Sequence, residues 1–130
     1  MNDIVQVRKN INDINNKISE AAKKSGRKKE EITIVAVTKT FPVEAWNISI
    51  KAGLFAIAEN RIKETEVKYD SIIMTAGIEL HLIGHLQTNK VRKAIKMFDI
   101  IQTVDSIRLA NKINTIAKEN NKIQNIYIQV

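Results

Sequence analysis

Residues 34–42 read IVAVTKTFP, and this stretch decides the fold. From Ile32 to Thr38 the chain is β-branched and apolar on both faces, the pattern of a parallel strand covered by other structure rather than of a hairpin wetted on one side. Pro42 then suits the first turn of a helix, because its missing N–H has no partner there in any case. Gly53 stands where that helix would close in a left-handed conformation. Val43, Trp46 and Ile50 form its buried stripe. Lys39 breaks the pattern: alternation puts Val35, Val37 and Lys39 on one face and Ile34, Ala36 and Thr38 on the other, so a cation continues an apolar row.

Upstream, residues 3–24 carry Ile4, Val7, Ile11, Ile14, Ile18 and Ala22 at spacings of three and four, one apolar stripe on an amphipathic helix. Downstream the strand and helix alternation repeats. LFAIAEN (54–60) is a second strand, RIKETEVKYD (61–70) a charged helix, IELHLIG (78–84) a third strand, and TNKVRKAIKMF (88–98) a helix buried through Val91, Ile95 and Phe98. DIIQTVD (99–105) is a fourth strand, Ser106 an N-cap, and Leu109, Ile113 and Ile116 the stripe of the next helix. NIYIQV (125–130) is a fifth strand. No repeat or linker interrupts the order, so residues 1–130 are expected to form a single domain.

Such alternation implies an α/β fold with parallel pairing through right-handed crossovers. Two architectures satisfy it. One is a partial (β/α)8 barrel, an N-terminal helix plus the first five parallel strands of a fold that needs about 200 residues or more. The other is an open five-stranded doubly wound sheet, complete at about this length. Periodicity does not choose between them.

Composition removes several function classes. With 44% hydrophobic and 27% charged residues the chain falls in the globular range, and without cysteine it has neither a disulfide framework nor a thiolate metal site. No signal peptide or run of apolar residues long enough for a membrane span is visible, so a soluble, cytoplasmic protein with no membrane partner is expected. The net charge of +7 would suit a polyanion, but the lysines are spread over every helix and stand beside acids, as in GRKKEE and IAKENNK, in the manner of solvated helix faces. Aromatic residues make up 5% of the chain and do not alternate with basic ones, so no stacking platform for nucleic acid emerges.

Both architectures bind ligands at the carboxyl ends of their strands, which directs attention to Lys39, Glu59 with Asn60, His85 with Gln87, and Asp105 with Ser106. A lysine amine shielded from water there loses hydration, its pKa tends to fall, and the neutral amine can condense with a carbonyl to form a Schiff base. The plainer alternative keeps the stem of Lys39 on the core and its ammonium in water. His81 and His85 in HLIGH would share one helix face, but on a strand they stand roughly 13 Å apart, too far for one zinc ion. His81 then makes an interior hydrogen bond, His85 lines a loop, and Asp105 with Ser106 forms a helix N-terminus without a catalytic role. Neither common glycine-rich phosphate loop occurs.

Together, IVAVTKTFP, AENRIKE and HLIGHLQTNK resemble the pyridoxal phosphate homeostasis proteins, whose barrel is similar to the N-terminal domain of alanine racemase. The HxIGxLQxNK pattern is present as His81, Ile83, Gly84, Leu86, Gln87, Asn89 and Lys90. The resemblance implies that Lys39 carries pyridoxal 5′-phosphate covalently, and that Asn60 and His81 lie near the cofactor ring. Ala58 stands where the family usually has glycine, and Leu80 where an aromatic residue usually precedes the histidine. Family members continue through three more strands, whose loops hold the cofactor phosphate. The resemblance therefore makes this chain a C-terminally shortened member expected to hold the cofactor weakly or not at all.

The implied function is cofactor binding and homeostasis, a carrier or buffer with a Schiff base at Lys39 and no robust racemase turnover. A racemase needs a second acid/base residue on the opposite face of the substrate carbanion. Two alternatives stay open: a cofactor-dependent enzyme acting at an amino acid's α-carbon with Lys39 as base, and a cofactor-free open-sheet binding domain. The full-length form is expected to be a monomer, while the exposed edge of the fifth strand invites this chain to self-associate.

Overall fold

The computed structural model describes residues 3–71 and 77–130. Ten elements alternate along the chain: α1 (Ile4–Lys24), β1 (Ala36–Val37), α2 (Glu44–Lys51), β2 (Ala56–Glu59), α3 (Ile62–Ser71), β3 (Glu79–Leu82), α4 (Val91–Met97), β4 (Ile100–Val104), α5 (Ile107–Glu119) and β5 (Asn125–Ile128). Two single-turn 3-10 segments, Lys29–Glu31 and Thr88–Lys90, join them.

The strands make one all-parallel sheet in the order β1-β2-β3-β4-β5. That order decides between the two architectures. A doubly wound sheet reverses its strand order at a switch point and so puts helices on both faces, whereas strictly sequential right-handed crossovers put every connecting helix on the same face. The chain is thus five strands of a (β/α)8-type barrel wall, and the open doubly wound alternative is excluded.

Residues paired across parallel strands share a face. Ile57 and Leu80 form one such pair and Leu82 and Ile101 another, and all four enter a core cluster with Trp46, Val91, Ile95, Phe98, Leu109, Ile113 and Ile116 from the helices. This is the helix-covered face, and burying each large side chain stabilises the fold by about 1.5–3 kcal/mol. The other face carries the row Val37, Ala58, His81, Ile100 and Asn125, none of which enters that cluster.

The amphipathic helix expected over residues 3–24 is present as α1, with Ala22 buried, Ile4, Val7, Ile11 and Ile18 half-buried and Ile14 44% exposed. It packs on the neighbouring turn and on α2, with Arg8 donating to the Lys51 carbonyl at 3.0 Å. The sequence reading is corrected at β1, which is shorter than the apolar run. Its ladder covers Ala36 and Val37, and Val37 is 50% exposed, because a terminal strand lacks a second neighbour to prolong the pairing.

Other expectations hold. Gly53 closes α2 at φ +88, Ser106 caps α5 by accepting from the Leu109 N–H at 3.1 Å, and the stripes of α4 and α5 are buried.

Candidate functional site at the carboxyl ends of the strands

Lys39 follows β1 in a turn. Thr38, one residue before it, faces the helices and is buried, and its N–H donates to the Ala58 carbonyl at 3.1 Å. By alternation Lys39 stands on the opposite, open side, and it is exposed. Of the two readings of Lys39, this structure shows the plainer one, an amine in water. Among the described residues the Lys39 ammonium makes no ion pair within 4.0 Å.

Asn60 follows β2 as Lys39 follows β1. The register pairs Val37 with Ala58, so Lys39 and Asn60, each two residues further on, continue the same row on the same side. The Oδ1 atom of Asn60 is out of water and receives no hydrogen bond among the described residues, leaving a buried acceptor unmatched. Gly84 brings the end of β3 against this point. A Cβ there would lie 2.1 Å from the Asn60 carbonyl oxygen, a contact no side chain tolerates.

His81 sits in the same row as Ala58 and is 3% exposed. Its Nε2 lies 2.7 Å from Glu79 Oε1 and its Nδ1 2.9 Å from Gln102 Nε2. With the Gln102 amide donating to Nδ1, the ring carries its proton on Nε2 and donates to Glu79. Gln102 lies two residues past Ile100, the partner of His81, and so shares its face, next to a bulge where Gln102 and Thr103 run beside the single residue Tyr127 of β5. The same bulge lets Thr103 donate to the Gly84 carbonyl at 2.7 Å.

His85 and Gln87 are exposed beyond β3 and line a groove of about 490 Å³ with Asn60, Arg61, Lys63, Lys90 and Lys93. Asp105 is exposed and takes no part in the row, and Ser106 is the α5 cap. Lys39, Asn60 and His81 are thus brought to one side and one end of the sheet, while Asp105 and Ser106 are not.

Sequence reasoning left Glu59 without a role and passed over Lys68 and Glu64. Glu59 ends β2 with its side chain wholly buried against the helices, and its Oε1 accepts from Lys68 Nζ at 2.7 Å. Its Oε2 accepts from the Thr38 hydroxyl and from Trp46 Nε1 at 3.3 Å. Lys68 also donates to the Thr38 carbonyl at 2.9 Å and pairs with Glu64 at 3.0 Å. Glu64 Oε1 in turn accepts from the Thr40 N–H at 2.6 Å. Burial works against the charge on Glu64, but the Lys68 and Thr40 hydrogen bonds, with the positive charges of Lys68 and Arg61, outweigh it and hold its carboxyl below the ordinary 4.5. Two signals in the sequence pointed here: the i,i+4 spacing of Glu64 and Lys68, and an acid ending an apolar strand.

A sequential, all-parallel sheet with a helix between successive strands places the chain in the (β/α)-barrel class, with Lys39 and Asn60 just past its first two strands. No family model matches the chain. The pyridoxal phosphate homeostasis protein of Escherichia coli K12 is 36% identical over the whole chain, which covers 55% of that protein. The Haemophilus influenzae protein of the same name is 34% identical over 97% of the chain and 54% of its own length. PipY of Synechococcus elongatus, solved with PLP bound, superposes with a TM-score of 0.69 at 34% identity, covering 80% of this chain and 50% of PipY. The chain belongs to the pyridoxal phosphate homeostasis protein family and spans about half the length of the curated relatives it matches.

Proposed function

We propose that this chain is the lysine-bearing part of a protein that binds pyridoxal 5′-phosphate through Lys39 and buffers or carries it, without robust racemase turnover. Residues 1–130 act as one domain in this reading, the setting is the cytoplasm, and neither nucleic acid nor membrane is a partner. The whole protein is a monomer. Among the described residues no helix is long and apolar enough to cross a membrane.

The observation that carries the proposal is the position of Lys39: exposed, without an ion pair among the described residues, and one residue past Thr38 at the carboxyl end of β1. The residues present fit the aldehyde and ring end of the cofactor. Lys39 supplies an amine, Asn60 Oδ1 an unmatched buried acceptor that a ligand donor would satisfy, and His81 a ring fixed on both nitrogens. When bound, pyridoxal phosphate supplies an aldehyde that an amine holds reversibly. In this reading Lys39 holds the cofactor, Asn60 accepts from it, and His81 shapes the floor beside Ala58.

The test is incubation with pyridoxal 5′-phosphate, borohydride reduction and peptide mapping. The reduced adduct is expected at Lys39 and absent from Lys39→Ala. An adduct spread evenly over the lysines would overturn the reading.

A further inference from the structure

We infer that Glu59, Lys68 and Glu64 form a clamp of positioning residues that holds the chain on both sides of Lys39 and keeps nearby carboxylates away from its amine. The inference rests on the reading of Lys39 given above. It concerns residues on the helix face of the sheet, which would touch no ligand on the open face.

The residue before Lys39 is held three ways. The Thr38 N–H bonds to the Ala58 carbonyl, its hydroxyl to Glu59, and its carbonyl receives the Lys68 ammonium at 2.9 Å. The residue after Lys39 is held once, by a short bond from the Thr40 N–H to Glu64. Thr40 sits at φ +69, in the left-handed region that a β-branched residue avoids. That conformation turns the chain back immediately after Lys39, and the Glu64 carboxylate is the side chain that fixes it. Lys39 itself is left untethered between two tethered neighbours.

Charge supports the same assignment. Lys68 is the cation shared by both carboxylates, at 2.7 Å from Glu59 and 3.0 Å from Glu64. A buried ion pair adds little net stability over apolar packing of the same volume, so what this one provides is geometry. With both acids committed to Lys68, neither serves Lys39 as counter-ion, and its amine stays available for a carbonyl.

The experiment uses the 130-residue chain and the variants Glu64→Gln, Lys68→Met and Lys68→Arg. Amide hydrogen exchange by NMR reads the clamp without any ligand. The Thr40 amide is expected to be protected in the parent chain and to exchange at least tenfold faster in Glu64→Gln, while the Ile57 and Leu82 amides keep their rates. Reductive trapping with pyridoxal 5′-phosphate then reads Lys39, whose share of total adduct is expected to fall severalfold in Glu64→Gln and Lys68→Met and to return partly in Lys68→Arg. Should Lys68→Met fail to fold, Glu64→Gln decides alone, because it leaves the buried Glu59–Lys68 pair intact. An unprotected Thr40 in the parent chain, or an unchanged Lys39 share in Glu64→Gln, overturns the clamp and leaves the functional reading standing. No preference for Lys39 in the parent chain removes the functional reading, and the clamp's purpose with it.

Discussion

Lys68 Nζ lies 2.7 Å from Glu59 Oε1, with the two side chains 7% and 0% exposed. Both charges are out of water, between the sheet and the helices that cover it. The arrangement persists because each charge is matched: Glu59 receives the Lys68 ammonium, the Thr38 hydroxyl and the Trp46 indole N–H, and Lys68 gives its protons to Glu59, Glu64 and the Thr38 carbonyl.

Removing one member strands the other. Lys68→Met leaves a buried carboxylate with only neutral donors, and the expected loss is about 3–5 kcal/mol of unfolding free energy. That is a large part of the roughly 5–15 kcal/mol that holds a domain together. The double variant Glu59→Gln with Lys68→Met removes both charges and is expected to recover part of the loss. Urea unfolding followed by fluorescence checks both, since Trp46 is the single tryptophan and its indole lies against Glu59. Equal losses in the single and double variants would mean that packing of the Lys68 stem, not charge, sets the effect.

Glu64 gives the cluster a pH dependence with a definite sign. Its folded pKa is lowered from 4.5, so the folded state binds the proton less readily than the unfolded chain does. The stability it contributes is present above 4.5 and is lost as pH falls through its folded value. The stability difference between the parent chain and Glu64→Gln is therefore expected to be flat around neutrality and to shrink on acidification below 4.5. Urea midpoints measured across that range check it, and a difference that widens in acid would reverse the sign.

The barrel wall was legible in the sequence because each strand and helix announces itself locally. Val91, Ile95 and Phe98 repeat at helical spacing, and the run from Ile32 to Thr38 is apolar on both faces. Sheet order was not legible, since sequential and doubly wound sheets share one local pattern. Lys39 and Asn60 drew attention because strand ends are where such folds bind ligands, whereas His81 was singled out only by the family resemblance. The charge cluster behind them was missed for a physical reason: Lys68 lies in RIKETEVKYD, whose composition is that of a solvated surface, and only its packing on the helix-covered face of the sheet turns it inward.

Gly84 sets how close β3 comes to β2 at the ligand end. An added methyl group would meet the Asn60 backbone, with 2.1 Å to its carbonyl oxygen and 2.8 Å to its carbonyl carbon, and backbone yields less readily than the end of a side chain. Gly84→Ala is expected to cost about 2–3 kcal/mol, in the range of overpacked interiors, and to shift the Asn60 amide resonances. Gly53→Ala is the control. Its Cβ would meet nothing within 4 Å, so only the left-handed φ of +88 opposes it, and about 1 kcal/mol is expected. Chemical denaturation and amide chemical shifts read the two variants side by side. Equal losses, with Asn60 undisturbed, would remove close packing as the reason for glycine in HLIGH.

At the end of the sheet, β5 pairs with β4 on one side, and among the described residues no strand pairs with the other. The opposite end, β1, has a ladder of two residues, whereas β5 runs for four and exposes Tyr127 at 51% and Ile128 at 79%. Unpaired N–H and C=O groups flanked by exposed apolar side chains are a template for another strand, and the longer edge offers more bonds to one. This chain is therefore expected to self-associate reversibly with concentration, through β5 in preference to β1. A lysine on such an edge opposes pairing, because two copies meeting there bring like charges together in a setting that also strips their water. Ile128→Lys should weaken association severalfold in sedimentation equilibrium while changing monomer stability by no more than about 0.5 kcal/mol, because the side chain is already largely in water. Val37→Lys, on the shorter edge strand, should leave association nearly unchanged. The reverse ranking of the two variants would place the contact at β1, and no change in either would show that association runs through a helix face.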